Sequence, residues 1–145
     1  MQVTDTDPKT LAKTAASALL ERFAIDAVDL ALVLGSGWSG AALGLGVALG
    51  ECELAELPGF AKPVVAGHGG ALKLIRTPAG KTAALFTGRT HFYEGRGVEP
   101  VVHGVRTAAA AGAKAIVLTN GCGGLNPDWT PGTPVLISDH INLTG

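Results

Sequence analysis

The sequence is poor in charge, in aromatic side chains and in cysteine. Charged residues make up 16% of the 145 residues, the formal net charge is −1, and lysine and arginine form no cluster. A surface that binds nucleic acid or an anionic membrane is therefore not expected. The two cysteines, Cys52 and Cys122, stand in unrelated contexts, so we predict free thiols rather than a disulfide. The histidines and cysteines show no metal-ligand spacing, and no metal site is predicted.

The sequence also lacks a targeting or membrane-spanning pattern. The first ten residues have neither the basic region nor the apolar core of a signal peptide, which predicts a cytoplasmic protein. The uncharged stretch 30–50 approaches the ~20 residues that a membrane span needs. Six glycines and two serines interrupt it, however, and it begins like a strand. We therefore expect no membrane span.

Glycine is present in excess, at 21 of 145 residues, which is about twice the ~7% average usage. Asp7 and Pro8 are typical of a helix start, and apolar spacing predicts a helix over 8–23. A second helix is predicted over 98–111, ending at Gly112. Apolar runs predict strands at 30–35, 71–76, 82–87, within 114–121 and at 133–139. Strands that alternate with helices and end in glycine-rich loops predict an α/β sheet with its site at the strand ends.

The first of three such loops is "GSGWSG" at 35–40. Its glycines free backbone N–H groups, and Ser36 adds a hydroxyl, so the loop suits phosphate oxygens. A tight turn without a ligand is the alternative. The same segment also matches the G-x-G-x-x-G fingerprint of dinucleotide-binding folds, with Glu51, Glu53 or Glu56 as the ribose-binding acid.

The second loop, "GRTHFYEG" at 88–95, gathers polar side chains where an apolar strand ends. In extended backbone, Arg89, His91 and Tyr93 share one face. A guanidinium and an imidazole fit a phosphate dianion, and a tyrosine beyond them fits a sugar or a ring. Glu94, on the other face, would orient Arg89 from behind. The alternative is an exposed arginine–glutamate pair, which contributes at most ~1 kcal/mol.

The third loop, "TNGCGGLNPDWTPG" at 119–132, offers backbone donors around Gly121 to an anion or a flat base. A plain wide turn remains the alternative. His68 lies in another glycine loop, "AGHGGA" at 66–71, where a solvated histidine is as reasonable as a binding one. His103, inside the second helix, is predicted to be structural.

Together these stretches resemble the N-terminal part of the trimeric, low-molecular-mass purine nucleoside phosphorylases. The resemblance runs from about residue 30 to the end of the chain, and its matching pieces follow one another in the family's order. They are "LVLGSG" (32–37), "PGF" with "GHGG" (58–60 and 67–70), "GRTHFYEG" (88–95), "TNGCGGLNP" (119–127) and "SDHINL" (138–143).

The resemblance implies a mixed central sheet flanked by helices, and an enzyme in which phosphate attacks C1′ of a purine (deoxy)nucleoside. It implies phosphate as a co-substrate, no other cofactor, and a homotrimer. It assigns phosphate binding to Ser36, His68, Arg89, His91 and the backbone N–H of Gly121, ribose binding to Tyr93, and supporting positions to Thr90, Glu94 and Asn120. At 121 the family commonly has alanine, and glycine retains the same amide.

The resemblance also implies that part of the site is missing. The family's residues for the leaving purine come later than residue 145, so no such residue lies in this chain. We interpret 1–29 as an N-terminal helix region and 30–145 as the phosphate-binding half of a single α/β domain, incomplete at its C-terminus and inactive alone. The alternatives are a 5′-methylthioadenosine phosphorylase and a non-catalytic phosphate- or dinucleotide-binding module.

Overall fold

A five-stranded mixed sheet and two helices form the framework. A computed structural model of the chain describes residues 7–61 and 70–143. The elements are α1 (Pro8–Phe23), β1 (Leu30–Val33), β2 (Val47–Glu53), β3 (Ala71–Arg76), β4 (Thr82–Phe86), α2 (Val98–Ala110) and β5 (Ala115–Leu118). The sheet has the order β2-β3-β4-β1-β5, in which β1 runs parallel to β4 and β5 while β3 runs antiparallel to β2 and β4. The predicted mixed α/β fold is confirmed.

Both helices begin and end close to where the sequence predicts. The Asp7 carboxylate accepts a hydrogen bond from the Thr10 backbone N–H at 2.9 Å, and Pro8 takes the first helical position. Gly112, just past α2, has a φ of 105°, which favours glycine over other residues. Within the described ranges, no helix is long and apolar enough to cross a membrane.

Alternate residues of the central strands pack on opposite faces of the sheet. Ala84 and Phe86 of β4 join a core that includes Leu19 of α1 and Ala108 of α2. The alternate β4 residues, Ala83 and Leu85, join a smaller core on the other face, which the segment after β1 covers. The other members of this core are Leu30, Leu32, Leu34, Ala42, Leu45 and Ile75. The two long helices therefore cover the same face.

Two strand predictions differ from the structure. β2 was missed, because Gly50 interrupts its apolar pattern; that glycine leaves room for the Phe23 ring, which an added Cβ would meet at 2.6 Å. The strand predicted at 133–139 is wrong, since described residues 119–143 form no helix or strand. A short apolar run forms a strand only where a neighbouring strand supplies hydrogen bonds, and none of the five described strands pairs with 133–139.

Smaller predictions are confirmed. His103 is buried, and its Nε2 lies 2.9 Å from the Pro58 carbonyl oxygen, as expected for a structural histidine. Cys52 and Cys122 are free thiols, the first buried and the second exposed. Burial raises the pKa of the Cys52 thiol.

Asp29 directly precedes β1, and its side chain binds the first residue of β4. This contact makes the stability of the fold depend on pH. Its carboxylate accepts hydrogen bonds from the Thr82 N–H at 2.8 Å and from Lys81 Nζ at 3.3 Å. The Thr82 bond, followed by Lys81, lowers the pKa of Asp29 below its ordinary value of 3.8. A lowered pKa in the folded state stabilises the protein above the unfolded value, and that stabilisation is lost as pH falls through the folded pKa.

We therefore expect Asp29→Asn to lower the urea midpoint at pH 7. At a pH where Asp29 is protonated, the wild-type aspartic acid and the variant asparagine are both neutral, and the midpoint should be nearly unchanged. Asp26→Asn, on an exposed position three residues earlier, removes the same charge without the bond to Thr82. Urea unfolding at pH 7 and about pH 2 measures both variants. An Asp29→Asn effect of equal size at the two pH values would contradict this role.

Candidate active site

Three neighbouring strands end level with one another at one edge of the sheet. Val33, the last residue of β1, pairs with Phe86 at the end of β4 and with Leu118 at the end of β5. Because these three strands are parallel and adjacent, the chain leaves all of them at the same edge. The segments beginning at 34, 87 and 119 therefore start side by side, and these segments contain the three loops singled out in the sequence.

Arg89 bridges two of these loops. Its Nη1 donates a hydrogen bond to the Thr119 carbonyl oxygen at 2.7 Å. A Cβ added to Gly35 would lie 3.0 Å from the same Nη1 and 2.5 Å from the same carbonyl oxygen. Glycine at 35 is thus required for the guanidinium and the Thr119 carbonyl to pack directly over the end of β1. The guanidinium therefore packs against the residue that directly precedes Ser36.

The first and third loops are also joined to each other. Trp38 Nε1 donates a hydrogen bond to the Asn120 carbonyl oxygen at 3.0 Å. A Cβ on Gly121 would lie 3.1 Å from the Ser36 carbonyl oxygen, so the two backbones are in close contact. An alanine at 121 would require that oxygen to give by a few tenths of an ångström. Ser36 and Gly121, which the resemblance assigns to one anion, are thus brought together.

The glycines that frame "GRTHFYEG" have separate structural reasons. A Cβ on Gly88 would lie 2.7 Å from the Gly70 Cα, so the chains leaving β4 and entering β3 approach each other closely. Gly95 ends a short 3₁₀ helix, Phe92–Glu94, with a φ of 73°. Backbone geometry therefore explains the glycine at each end of the loop. It does not explain the polar residues between the two glycines.

The predicted alternation of faces in this loop holds only to His91. Phe92–Glu94 is a 3₁₀ helix rather than extended backbone. His91 and Tyr93 nevertheless lie together, with parallel rings whose centroids are 4.8 Å apart. Tyr93 is 83% exposed, so its outer face is open to a ligand.

Glu94 does not act on Arg89 as expected. Its carboxylate accepts a hydrogen bond from the His91 backbone N–H at 2.7 Å, and it lies 3.7 Å from Arg96 Nε. The glutamate therefore fixes the backbone that carries the imidazole. Arg89 is instead held by Thr119. The sequence offered no signal for that contact, because it joins residues 30 positions apart.

The remaining predicted residues are placed as follows. Thr90 is half-buried between Arg89 and His91, and Asn120 contributes its carbonyl oxygen to Trp38. His68 lies outside the described residues. Two of the three carboxylates proposed for a dinucleotide are engaged elsewhere: Glu51 pairs with Lys73, and Glu56 with Arg22.

The backbone after "GSGWSG" also differs from a dinucleotide-binding unit. That unit requires a helix opening at the glycine loop and a return to a parallel strand. Here the loop leads into a short 3₁₀ helix, Ser39–Gly44, and then into β2, which is antiparallel to its neighbour β3. The fingerprint match is therefore coincidental.

A family comparison agrees with this architecture. The model of the phosphorylase superfamily matches residues 29–145. The chain belongs to this superfamily. The match covers β1 and all three site loops, which begin side by side where β1, β4 and β5 end.

Relatives and solved structures narrow the resemblance within the superfamily. A purine nucleoside phosphorylase of Cellulomonas is 52% identical over 143 residues, covering 96% of this chain and 51% of that protein. The purine nucleoside phosphorylase of Mycobacterium tuberculosis is 50% identical over 139 residues, covering 95% and 51%. The crystal structure of the Schistosoma mansoni enzyme with inosine superposes with a TM-score of 0.69 at 27% identity, covering 82% of this chain and 40% of that chain.

A second structural neighbour was solved with a sugar phosphate bound. A purine nucleoside phosphorylase in complex with ribose 1-phosphate has a TM-score of 0.70, at 27% identity and with 82% of this chain and 43% of that chain covered. This chain spans about half the length of the curated relatives that it matches. The superfamily and the fold of this half are therefore shown.

Proposed function

We propose that this chain is the phosphate-binding half of a purine nucleoside phosphorylase. The reaction cleaves a purine (deoxy)ribonucleoside with inorganic phosphate, giving the free base and (deoxy)ribose 1-phosphate. One observation carries the proposal: Arg89, Gly35 and Thr119 are in direct contact where β4, β1 and β5 end. Gly35 directly precedes Ser36, and Thr119 lies two residues before Gly121. About half identity to enzymes of that name supports the choice of reaction.

The proposed roles follow from the chemistry of each group. The Arg89 guanidinium, the Ser36 hydroxyl, the His91 imidazole and the Gly121 N–H bind one phosphate dianion, with His68 completing the shell. Tyr93, stacked on His91 and open on its outer face, lies against the ribose. Thr90, Glu94 and Asn120 support the loops, and Glu94 does so through the His91 amide.

Held beneath C1′, the phosphate has two functions. Cleavage of the N-glycosidic bond builds positive charge on the sugar, as in glycoside hydrolysis. A bound dianion stabilises that charge and is already positioned to form the new C1′–O bond, while the bonding electrons leave with the purine. The enzyme needs no cofactor beyond this co-substrate.

The rest of the proposal concerns the complete gene product. Residues that stabilise the leaving purine lie beyond Gly145, so 1–145 binds phosphate but does not turn over nucleoside. Residues 1–29 form the N-terminal helix region, and 30–145 form the phosphate-binding half of one domain. The complete protein is a cytoplasmic homotrimer.

Two assays test the proposal. The complete gene product is expected to release hypoxanthine from inosine only when phosphate is present, and residues 1–145 alone are expected to give no turnover. Calorimetry should detect phosphate but not NAD. Preferential cleavage of 5′-methylthioadenosine would favour that phosphorylase instead, and phosphate binding without turnover by the complete protein would favour a non-catalytic module.

A further inference from the structure

Thr119 makes four hydrogen bonds at the point where the three site loops separate. Its backbone N–H donates to the Val33 carbonyl oxygen at 3.0 Å, which extends the β1–β5 ladder by one bond. Its hydroxyl donates to the same oxygen at 3.0 Å and accepts from the Gly35 N–H at 2.9 Å. Its carbonyl oxygen accepts from Arg89 Nη1 at 2.7 Å.

The hydroxyl performs a task that the sheet backbone no longer can. The Leu34 N–H still donates to the Phe86 carbonyl oxygen at 2.8 Å. One residue later, the Gly35 N–H is satisfied by a side chain rather than by a strand carbonyl. A hydroxyl both donates and accepts, so one atom holds Val33 and Gly35 to the same residue. Its loss would leave a partly buried N–H without that acceptor, which is costly.

We propose that Thr119 is a positioning residue for phosphate, an inference that rests on the proposed function. Through its hydroxyl it fixes the turn that carries Ser36, and through its carbonyl it fixes the Arg89 guanidinium. One residue therefore sets the spacing between the hydroxyl-bearing loop and the cationic loop. Phosphate recognition depends on that spacing, whereas the sugar and base meet other residues.

The test compares Thr119→Val with Thr119→Ser in the complete gene product. Valine preserves shape and removes both hydroxyl bonds, so the KM for phosphate is expected to rise about five- to tenfold. The KM for inosine should stay within about twofold. Serine restores the hydroxyl and should bring the phosphate KM back to within about twofold of the wild type.

Thr82→Val is the matched control. Thr82 is buried at the start of β4, on the opposite edge, and its hydroxyl accepts from Arg76 at 2.7 Å. If Thr119 were merely structural, Thr119→Val would behave like Thr82→Val. Both variants would then have a lower melting temperature and an unchanged KM for phosphate. That result, or an equal rise in the KM for inosine, would overturn the inference.

Amide hydrogen exchange provides a readout that does not depend on turnover or on the valine variant folding. The Gly35 N–H should exchange slowly in the wild-type protein and in Thr119→Ser. Exchange at the rate of an unprotected amide in the wild type would overturn the proposed contact. If the wild-type protein failed to use phosphate while the Gly35 N–H remained protected, the proposed function would fail, and the positioning role with it. If the wild-type protein used phosphate and Thr119→Val had the same KM for phosphate, the positioning role alone would fail.

Discussion

Arg89→Ala in the complete gene product should weaken the use of phosphate far more than the affinity for nucleoside. The side chain supplies the only guanidinium that the structure, in its described part, places against both Gly35 and Thr119. Losing a charged hydrogen-bonding partner of a dianion costs about 2–4 kcal/mol. That corresponds to a loss of roughly 30- to 700-fold in kcat/KM for phosphate. Initial rates measured while phosphate and inosine are varied separately will show it.

Two further variants separate the guanidinium from positive charge in general. Arg89→Lys keeps the charge but loses the planar fork, so we expect an intermediate loss. Arg76→Ala removes a guanidinium that also donates to a carbonyl oxygen, that of Gly80, but on the opposite edge of the sheet. It should leave phosphate kinetics unchanged. A defect in Arg89→Ala confined to the KM for nucleoside would contradict the assignment of Arg89 to phosphate.

The sequence predicts the framework well because local signals and buried strands dominate it. Asp7 and Pro8 mark the start of α1. Every residue of β4 is buried, and its last four form a continuous apolar run. The failures lie where structure depends on distant neighbours. β2 is an edge strand whose outward residues are exposed, and its Gly50 is explained only by the Phe23 ring that packs against it.

The candidate site divides in the same way. Residue type alone singled out Arg89 and Ser36, since a guanidinium and a hydroxyl among glycines favour an anion. Thr119 and Gly35 were not singled out, because their importance is a three-dimensional contact between segments 84 positions apart. Glu94 has a different partner from the one expected, because a 3₁₀ helix replaces extended backbone after His91.

Gly35→Ala should be nearly as damaging as Arg89→Ala, although it removes no functional group. The new Cβ would lie 2.5 Å from the Thr119 carbonyl oxygen and 3.0 Å from both Arg89 Nη1 and the Asn120 Cα. Two of these three neighbours are backbone atoms, so the loops themselves must move apart. A displacement of about 1 Å in a positioned group can cost about 100-fold in rate. We therefore expect a loss of about that size in kcat/KM for phosphate, measured by initial rates.

Gly44→Ala distinguishes this steric effect from the general consequence of replacing a glycine. Gly44 ends the 3₁₀ helix Ser39–Gly44, and a Cβ there meets nothing within 4 Å. Its replacement should leave phosphate kinetics within about twofold of the wild type, since an exposed change away from packed contacts has a small effect. Normal phosphate kinetics in Gly35→Ala would mean that the guanidinium and the Thr119 carbonyl need not meet over Gly35. The contact that joins the loops would then be unnecessary for binding the anion, and the proposed phosphate site would lose its geometric basis.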